Sequence, residues 1–225
     1  MIKVLTFDVV GTLIDFESGI LQCVRSVGDV PDDEAVLSAF AAEEDVQQRS
    51  TPEMPFTAML DPISTRLARA LDMPGLDGGD GPSPLRRSIG SWPAFPDAVE
   101  ALAALGERYR LVAATNADRF ALDAMAATLG NPFDDGVTVD DVRVNKPDPQ
   151  FFAYVLGRLS ASGIAREEVL HVAQSRYHDI ATAQRLGIAT CWVERRHGST
   201  GTGATPVAPS EVVPDRRVTG LIELL

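Results

Sequence analysis

Cysteine and lysine are both scarce in this chain of 225 residues. The two cysteines, Cys23 and Cys191, lie far apart, which indicates neither a disulfide framework nor a metal-binding spacing. No apolar run approaches the roughly 18 residues that a membrane span needs. The first residues, MIKVLTFDVV, lack the basic, apolar and small-residue segments of a signal peptide. Together these absences predict a cytoplasmic protein.

Positive charge is also limited, because 20 lysines and arginines stand against 32 acidic residues and give a net charge of −12. A chain this acidic is not expected to bind nucleic acid or an anionic membrane. Lysine occurs only at Lys3 and Lys146, and the other 18 basic residues are arginine. Arginine replaces lysine wherever charge alone is needed, but not where a compact ammonium group must fit.

The apolar pattern predicts an α/β fold. Continuous apolar runs, typical of buried parallel strands, occur at 2–9, 110–115, 168–173 and 188–193, with a weaker run at 137–144. Helical spacing of apolar residues occurs at 97–105, 149–159 and 179–186. Strands that alternate with helices in this way predict a doubly wound parallel sheet that is covered on both faces.

Residues 16–90 follow a different pattern, with helical apolar spacing and no run typical of a strand. This segment ends in a connector rich in glycine and proline, MPGLDGGDGPSPL, which predicts a loop. We therefore expect residues 1–15 and 91–225 to form an α/β core and residues 16–90 a helical insert after the first strand. Residues 198–204 are rich in glycine and are expected to form a surface loop.

Polar residues follow each predicted strand at the point where it ends. In an open α/β sheet the ligand crevice lies outside the carboxyl ends of the strands, so these side chains are expected to meet. They are Asp8, Gly11 and Thr12, then Thr115 and Asn116, then Asn145, Lys146 and Pro147, and finally Gln174, Ser175, Arg176 and Asp179. Polar groups that four segments bring to one crevice predict an active site.

These segments carry the motifs FDVVGT, ATN, NKPDPQFF and HVAQSRYHD, in this order. In that order and spacing the chain resembles the haloacid dehalogenase superfamily of hydrolases along nearly its whole length. The resemblance implies a Rossmann-like core and identifies the helical insert as the cap domain of the family, which covers the crevice.

The resemblance also implies roles for individual residues. Asp8 corresponds to the nucleophile that forms an aspartyl-ester intermediate, and Lys146 to the lysine that steadies it. Thr115 and Asn116 match the pair that contacts the substrate, and Asp179 matches the second acid of the last motif. These residues, with Val10, Thr12, Gln174, Ser175 and Arg176 as further substrate-contacting candidates, form the predicted site.

At two positions the sequence differs from the phosphatases of this superfamily, and these differences indicate which type of reaction to expect. Those enzymes carry aspartate at the positions of Val10, where it protonates the leaving group, and of Gln174, where it binds magnesium. Magnesium prefers carboxylate oxygens, so neutral Gln174 is a poor ligand. The loss of both acids favours a metal-free reaction without a cofactor, in which halide leaves carbon as a stable anion. The 2-haloacid dehalogenase branch has these properties, and the stretch CWVER resembles it as well.

The expected mechanism follows from these residues. Asp8 is expected to attack carbon, and the apolar side chain of Val10 is expected to exclude water from the nucleophile. Lys146 is expected to lower the pKa of Asp8 and keep it ionised. Asp179 is expected to orient or deprotonate the water that cleaves the ester, and to cap the helix that follows it. His171 and His178 are expected to pack or form hydrogen bonds and not to catalyse.

The resemblance is incomplete in the insert. Characterised 2-haloacid dehalogenases hold the departing halide with an arginine near the positions of residues 42–45. The stretch AAEEDVQQR is acidic there, and its first arginine is Arg49. Either Arg49 or Arg176 takes that role, or the leaving group is another one, such as a strained ring amine.

Three functions are therefore open: a metal-independent hydrolase that acts at carbon, a magnesium-dependent phosphatase of small phosphate esters, and a catalytically silent binding protein. The expected partners are a small anionic substrate and, in a homodimer, a second copy of the chain.

Overall fold

A six-stranded parallel sheet lies at the centre of the computed structural model, which describes residues 1–29, 32–198, 203–205 and 212–225. The strands are β1 Val4–Phe7, β2 Arg110–Ala114, β3 Asp135–Val137, β4 Val169–Ala173, β5 Ala189–Val193 and β6 Arg216–Val218. Their order across the sheet is β3-β2-β1-β4-β5-β6. The predicted doubly wound parallel sheet is confirmed.

β1 is the central strand, and its neighbours are β2 and β4. Val4 pairs with Arg110 on one side and with Val169 on the other, and Phe7 pairs with Ala113 and Val172. All four residues of β1 are buried, as the continuous apolar run requires. The residues that follow these three strands therefore leave the sheet at the same edge and next to one another.

Nine helices cover the sheet and build the insert, counted over the part of the chain that the structure describes. They are α1 Phe16–Val27, α2 Asp33–Ser50, α3 Phe56–Ala70, α4 Pro84–Ser88, α5 Ala98–Gly106, α6 Arg119–Thr128, α7 Val139–Val142, α8 Pro149–Ala161 and α9 Ala181–Arg185. A π-helical turn, Arg176–Ile180, runs directly into α9. None of the helices among the described residues is long and apolar enough to cross a membrane.

The helical insert after the first strand is confirmed, since α1 to α4 all lie between β1 and β2. Its apolar residues join those of one sheet face in a continuous cluster that includes Phe7 and Leu13 of the core and Phe40 and Leu60 of the insert. The division of the chain at residues 16 and 90 into core and cap remains a prediction.

Trp92 fills the junction between the insert and the core. It is almost fully buried, and its ring lies against Phe16 and Phe56. A Cβ atom at Gly19 would lie 2.3 Å from Cδ1 of Trp92, so only glycine permits this approach to α1.

One prediction about strands was wrong, and one strand was missed. The run at 137–144 contains only the end of β3, and the chain then forms α7, because Asp141 accepts hydrogen bonds from the backbone and hydroxyl of Thr138. The sequence analysis also missed β6, a strand of three residues of which two are exposed arginines. In the predicted loop at 198–204, residues 199–202 lie outside the described residues, and Ala204 is buried with its N–H bonded to Glu17.

Candidate active site

The carboxyl ends of β1, β2 and β4 surround a cavity of about 50 Å³. The residues of the core that line it include eight of the predicted site residues: Asp8, Val10, Thr115, Asn116, Lys146, Gln174, Ser175 and Asp179. The insert contributes Phe16, Glu44, Gln48 and Phe56. A cavity of this size between the insert and the core admits only a small ligand.

Lys146 lies at the centre of the site and is 1% exposed. Its Nζ atom is 2.8 Å from Asp8 Oδ1, 2.7 Å from Asp179 Oδ1 and 2.7 Å from the carbonyl oxygen of Ala114. An ammonium group has three hydrogens, and these three acceptors use all of them. The site therefore holds a compact point charge, which is the condition under which lysine cannot be exchanged for arginine.

Asp8 is oriented through both of its oxygens. Lys146 donates to Oδ1, and the Thr12 hydroxyl donates to Oδ2 over 2.6 Å. The Thr12 oxygen itself accepts a hydrogen bond from the backbone N–H of Gln174, so its one hydrogen is directed at Asp8. Gly11, with φ of +85°, makes the turn that brings Thr12 behind Asp8. Thr12 thus positions the carboxylate from outside the cavity.

Asp179 is held by a second set of bonds. Its Oδ1 atom is also 3.0 Å from His171 Nε2, and His171 Nδ1 is 2.9 Å from the hydroxyl of Thr6 on β1. The other oxygen, Oδ2, is buried and has no hydrogen-bond partner among the described residues. Asp179 does not cap the following helix as predicted, because it lies inside the π-helical turn, which Ser175 caps with its hydroxyl accepting from the N–H of His178, and α9 has no side-chain cap.

The pKa values of the three charged groups are shifted in different directions. Burial raises the pKa of Asp8, and Lys146 opposes this rise in the predicted direction without cancelling it. Burial also acts against ionised Asp179, but Lys146 and His171 outweigh it and lower the pKa of Asp179 to about 2. Burial disfavours the Lys146 ammonium, yet the two carboxylates raise its pKa. The positive charge is therefore permanent, and Asp8 is the more basic of the two acids.

Two asparagines, Asn116 and Asn145, hold the loop that carries Lys146 by hydrogen bonds to backbone groups. The Asn116 side chain donates to the carbonyl of Lys146 over 3.0 Å and accepts from its N–H over 2.7 Å. The Asn145 side chain donates to the carbonyls of Pro52 and Met54 in the insert. Asn116 therefore fixes the loop that carries Lys146, and Asn145 ties that loop to the insert.

A hydrogen-bonded chain crosses from the core to the insert on the other side of the cavity. Gln48 Nε2 donates to Glu44 Oε1 over 3.1 Å, and Gln48 Oε1 is 2.9 Å from His178 Nε2. His178 Nδ1 is 3.1 Å from the Ser175 hydroxyl. Burial lowers the pKa of His178 to about 4, so the ring is neutral at pH 7.

Glu44 is the main site residue that the sequence analysis missed. It is 6% exposed, and burial, with a smaller effect of Asp45, raises its pKa to about 8. A pattern that could have identified it is present in α2, where Glu44 continues the buried stripe of Leu37 and Phe40 at helical spacing. A carboxyl in such a stripe faces the interior.

The two arginines considered for the leaving group lie elsewhere. Arg49 is exposed and pairs with Asp45. Arg176 is exposed, and its guanidinium lies 4.7 Å from the centre of the Trp192 ring. The structure therefore does not bring Arg176 into the predicted substrate site. Among the described residues that line the cavity, Lys146 is the one lysine or arginine.

The residues of the site do not fit a magnesium ion. Within the described ranges no group of three or more histidine, cysteine, aspartate or glutamate side chains could hold a metal. Asp8 and Asp179 share the Lys146 ammonium, which bonds to one oxygen of each carboxylate. Gln174 offers a neutral amide oxygen, which already accepts from Thr205. A metal-free reaction remains a prediction.

Comparisons with known proteins agree with this architecture. Residues 2–187 match the family model of haloacid dehalogenase-like hydrolases. An (S)-2-haloacid dehalogenase of Pseudomonas putida is 31% identical over 67 residues, which cover 30% of this chain and 28% of the relative. The match therefore spans less than a third of that relative.

Solved structures resemble the whole chain. An L-2-haloacid dehalogenase of Xanthobacter autotrophicus with chloropropionic acid covalently bound has a TM-score of 0.74 at 23% identity, over 100% of this chain and 97% of that one. The HAD-hydrolase YfnB of Bacillus subtilis bound to magnesium has a TM-score of 0.76 at 20% identity, over 99% and 96% of the two chains. At these identities the likeness establishes the fold alone.

We expect Lys146→Arg to lower the rate of the enzyme at least ~100-fold, because a planar guanidinium cannot reach three acceptors arranged around one nitrogen. The rate with the best substrate found is the measurement, and circular dichroism checks the fold. Lys3→Arg is the matched control, since Lys3 is exposed and pairs with Glu168. Near-native activity of Lys146→Arg would show that charge alone is sufficient.

Glu44 should make the stability of the protein depend on pH. From its ordinary pKa of 4.5 up to about 8, the folded protein keeps a proton that the unfolded chain releases, so stability falls as pH rises. The loss is at most about 1.4 kcal/mol per pH unit. Denaturant unfolding measured between about pH 5 and about pH 8 should show that Glu44→Gln loses less stability with rising pH than the unaltered protein does. The Glu43→Gln variant should lose as much stability as the unaltered protein. Identical pH dependence of all three would contradict a buried, protonated Glu44.

Proposed function

This chain belongs to the family of haloacid dehalogenase-like hydrolases, and on that premise we propose that Asp8 displaces halide from a carbon atom of a small organic acid without a metal ion. The observation that carries the proposal is the Lys146 ammonium between Asp8 and Asp179, at distances of 2.8 and 2.7 Å. This ammonium supplies the positive charge that a metal ion would otherwise supply beside the nucleophile.

The surroundings of Asp8 suit attack at carbon. Asp8 is 6% exposed and its carboxylate is held by Lys146 and Thr12, so little solvent must be removed before it attacks. Burial raises its pKa, and a more basic carboxylate is a stronger nucleophile as long as it is ionised. Val10 lines the cavity with an apolar side chain and offers no proton, which suits a leaving group that departs as a stable anion.

The second half of the reaction requires a water molecule at the ester. Asp179 lines the cavity, and its buried Oδ2 atom has no partner among the described residues, so it can accept a hydrogen bond from that water. Its pKa of about 2 makes Asp179 a weak base. Of the two roles considered for Asp179, orientation of the water is therefore favoured over deprotonation.

The relatives support a covalent mechanism. The Xanthobacter autotrophicus L-2-haloacid dehalogenase, which shares this fold, holds chloropropionic acid covalently bound. We extend that chemistry to this chain and propose a small 2-haloacid as the substrate class, with Lys146 as the cation of the site.

The magnesium-dependent phosphatase is the weaker candidate. YfnB shares the fold and binds magnesium, so the fold alone does not distinguish the two reactions. The donor set favours the metal-free reaction, because Gln174 is neutral and the two acids are paired with Lys146. A silent binding protein would retain Asp8 without forming an ester, and labelling of Asp8 separates it from either enzyme.

We expect turnover of a 2-haloacid to persist in the presence of a chelator, because none of the steps in the proposal uses a metal ion. Halide release from a panel of 2-haloacids, and phosphate release from small phosphate esters, should each be measured with chelator and with added magnesium. Activity that chelator abolishes and magnesium restores would favour the phosphatase.

A single turnover in heavy-oxygen water should place the label in the Asp8 side chain, because the oxygen delivered to product comes from the carboxylate. The measurement is mass spectrometry of the peptide that contains Asp8, with enzyme in excess. Asp8→Asn should stay folded and lose activity, since an amide of the same size is a poor nucleophile. Label in the first-turnover product and none in Asp8 would rule out the covalent route.

A further inference from the structure

A carboxyl group of the insert shares the cavity with the nucleophile. Glu44 of α2 lines the cavity from the insert, and Asp8 lines it from the end of β1. Gln48 donates to one Glu44 oxygen and is itself held by His178 of the core. The Glu44 side chain is therefore buried in a fixed position, although the attack by Asp8 does not use it.

This carboxyl lines a cavity in which a departing anion finds no second cation among the described lining residues. Arg49 and Arg176 both lie outside the cavity, and Lys146 is already bonded to three acceptors. A leaving group can be stabilised either by a positive charge or by a proton. With no second cation among the described lining residues, a proton from Glu44 is the available means.

We propose that Glu44 donates a proton to the leaving group, and that this site therefore also opens small epoxides. An epoxide oxygen leaves as an alkoxide, which needs a proton, whereas halide does not. Ring strain allows a carboxylate to displace this oxygen from saturated carbon, and the three-membered ring is small enough for a cavity of about 50 Å³. The inference rests on the proposed attack of Asp8 on carbon.

The reaction balances without a further reactant. A bond forms between an Asp8 oxygen and a ring carbon, the carbon–oxygen bond of the ring breaks, and its electron pair takes the proton of Glu44. Water then adds to the carboxyl carbon of the Asp8 ester. One proton of the water ends on the second product hydroxyl and the other returns to Glu44. The sum is epoxide plus water giving a vicinal diol.

The protonation of Glu44 depends on its surroundings. Asp45 on α2 is the charged neighbour that acts on Glu44, and four titratable groups of the core line the same cavity: Asp8, Lys146, His178 and Asp179. Arg25 of α1 and Arg66 of α3 pair with other acids of α2, Asp33 and Glu43. Burial is the main reason that the pKa of Glu44 rises to about 8, so the group carries its proton at pH 7.

The test compares leaving groups in the full chain. We expect the unaltered protein to convert glycidate, the epoxide of a small acid, to glycerate, and to form an Asp8 adduct detectable by mass spectrometry in a single turnover. Glu44→Gln should lose at least ~100-fold in kcat/KM with glycidate and less than about tenfold with a 2-bromo acid. Turnover of glycidate should also fall above about pH 8.

The matched control is Glu43→Gln, which changes the neighbouring residue that binds Arg66 outside the cavity and should leave both activities unchanged. If Glu44→Gln lowers kcat/KM equally with both substrates, Glu44 does not act as the proton donor. If the 2-bromo acid is turned over but glycidate forms no Asp8 adduct, the site does not open epoxides. Either result overturns this inference and leaves the proposed function unaffected. If Asp8→Asn retains either activity, or neither substrate reacts, the proposed function fails and this inference fails with it.

Discussion

The buried ammonium of Lys146 is the interaction on which the site depends. It joins the end of β1 through Asp8, the end of β2 through the carbonyl of Ala114, and the turn after β4 through Asp179. Two carboxylates buried this close to each other would be strongly destabilising without a cation between them. The same charge that orients the nucleophile therefore also allows three strand ends to converge.

The insert is linked to this charge through the neighbours of Lys146 and Asp179. Asn145 precedes Lys146 and bonds to the carbonyls of Pro52 and Met54, and His178 precedes Asp179 and bonds to Gln48. Each loop that supplies a charged group thus also holds the insert in place. A change in the position of α2 would reach Asp8 through these two loops, and the shape of the cavity and the geometry of the nucleophile are coupled.

Much of the core was predictable because its strands are identified by the residues of short, continuous stretches of sequence. Continuous apolar runs identified β1, β2, β4 and β5, and the rule that ligands bind at the carboxyl ends of strands brought together Asp8, Lys146 and Asp179. The direction of the Arg176 side chain depends on Trp192 of the neighbouring strand β5, which no local pattern reveals. Glu44 was missed for a related reason: its position in the stripe of α2 is typical of a buried residue, but its residue type is typical of an exposed one.

The scarcity of lysine has a practical consequence for experiments on this protein. Of its two lysine side chains, Lys146 is 1% exposed and engaged in three hydrogen bonds, whereas Lys3 is 58% exposed. Of the two lysine side chains, amine-reactive dyes and surface-coupling reagents will therefore reach Lys3 and not Lys146. Lys3 directly precedes β1 at its amino end, whereas the cavity opens beyond its carboxyl end, so the folded chain can be tethered or made fluorescent with the substrate cavity facing away from the attachment point.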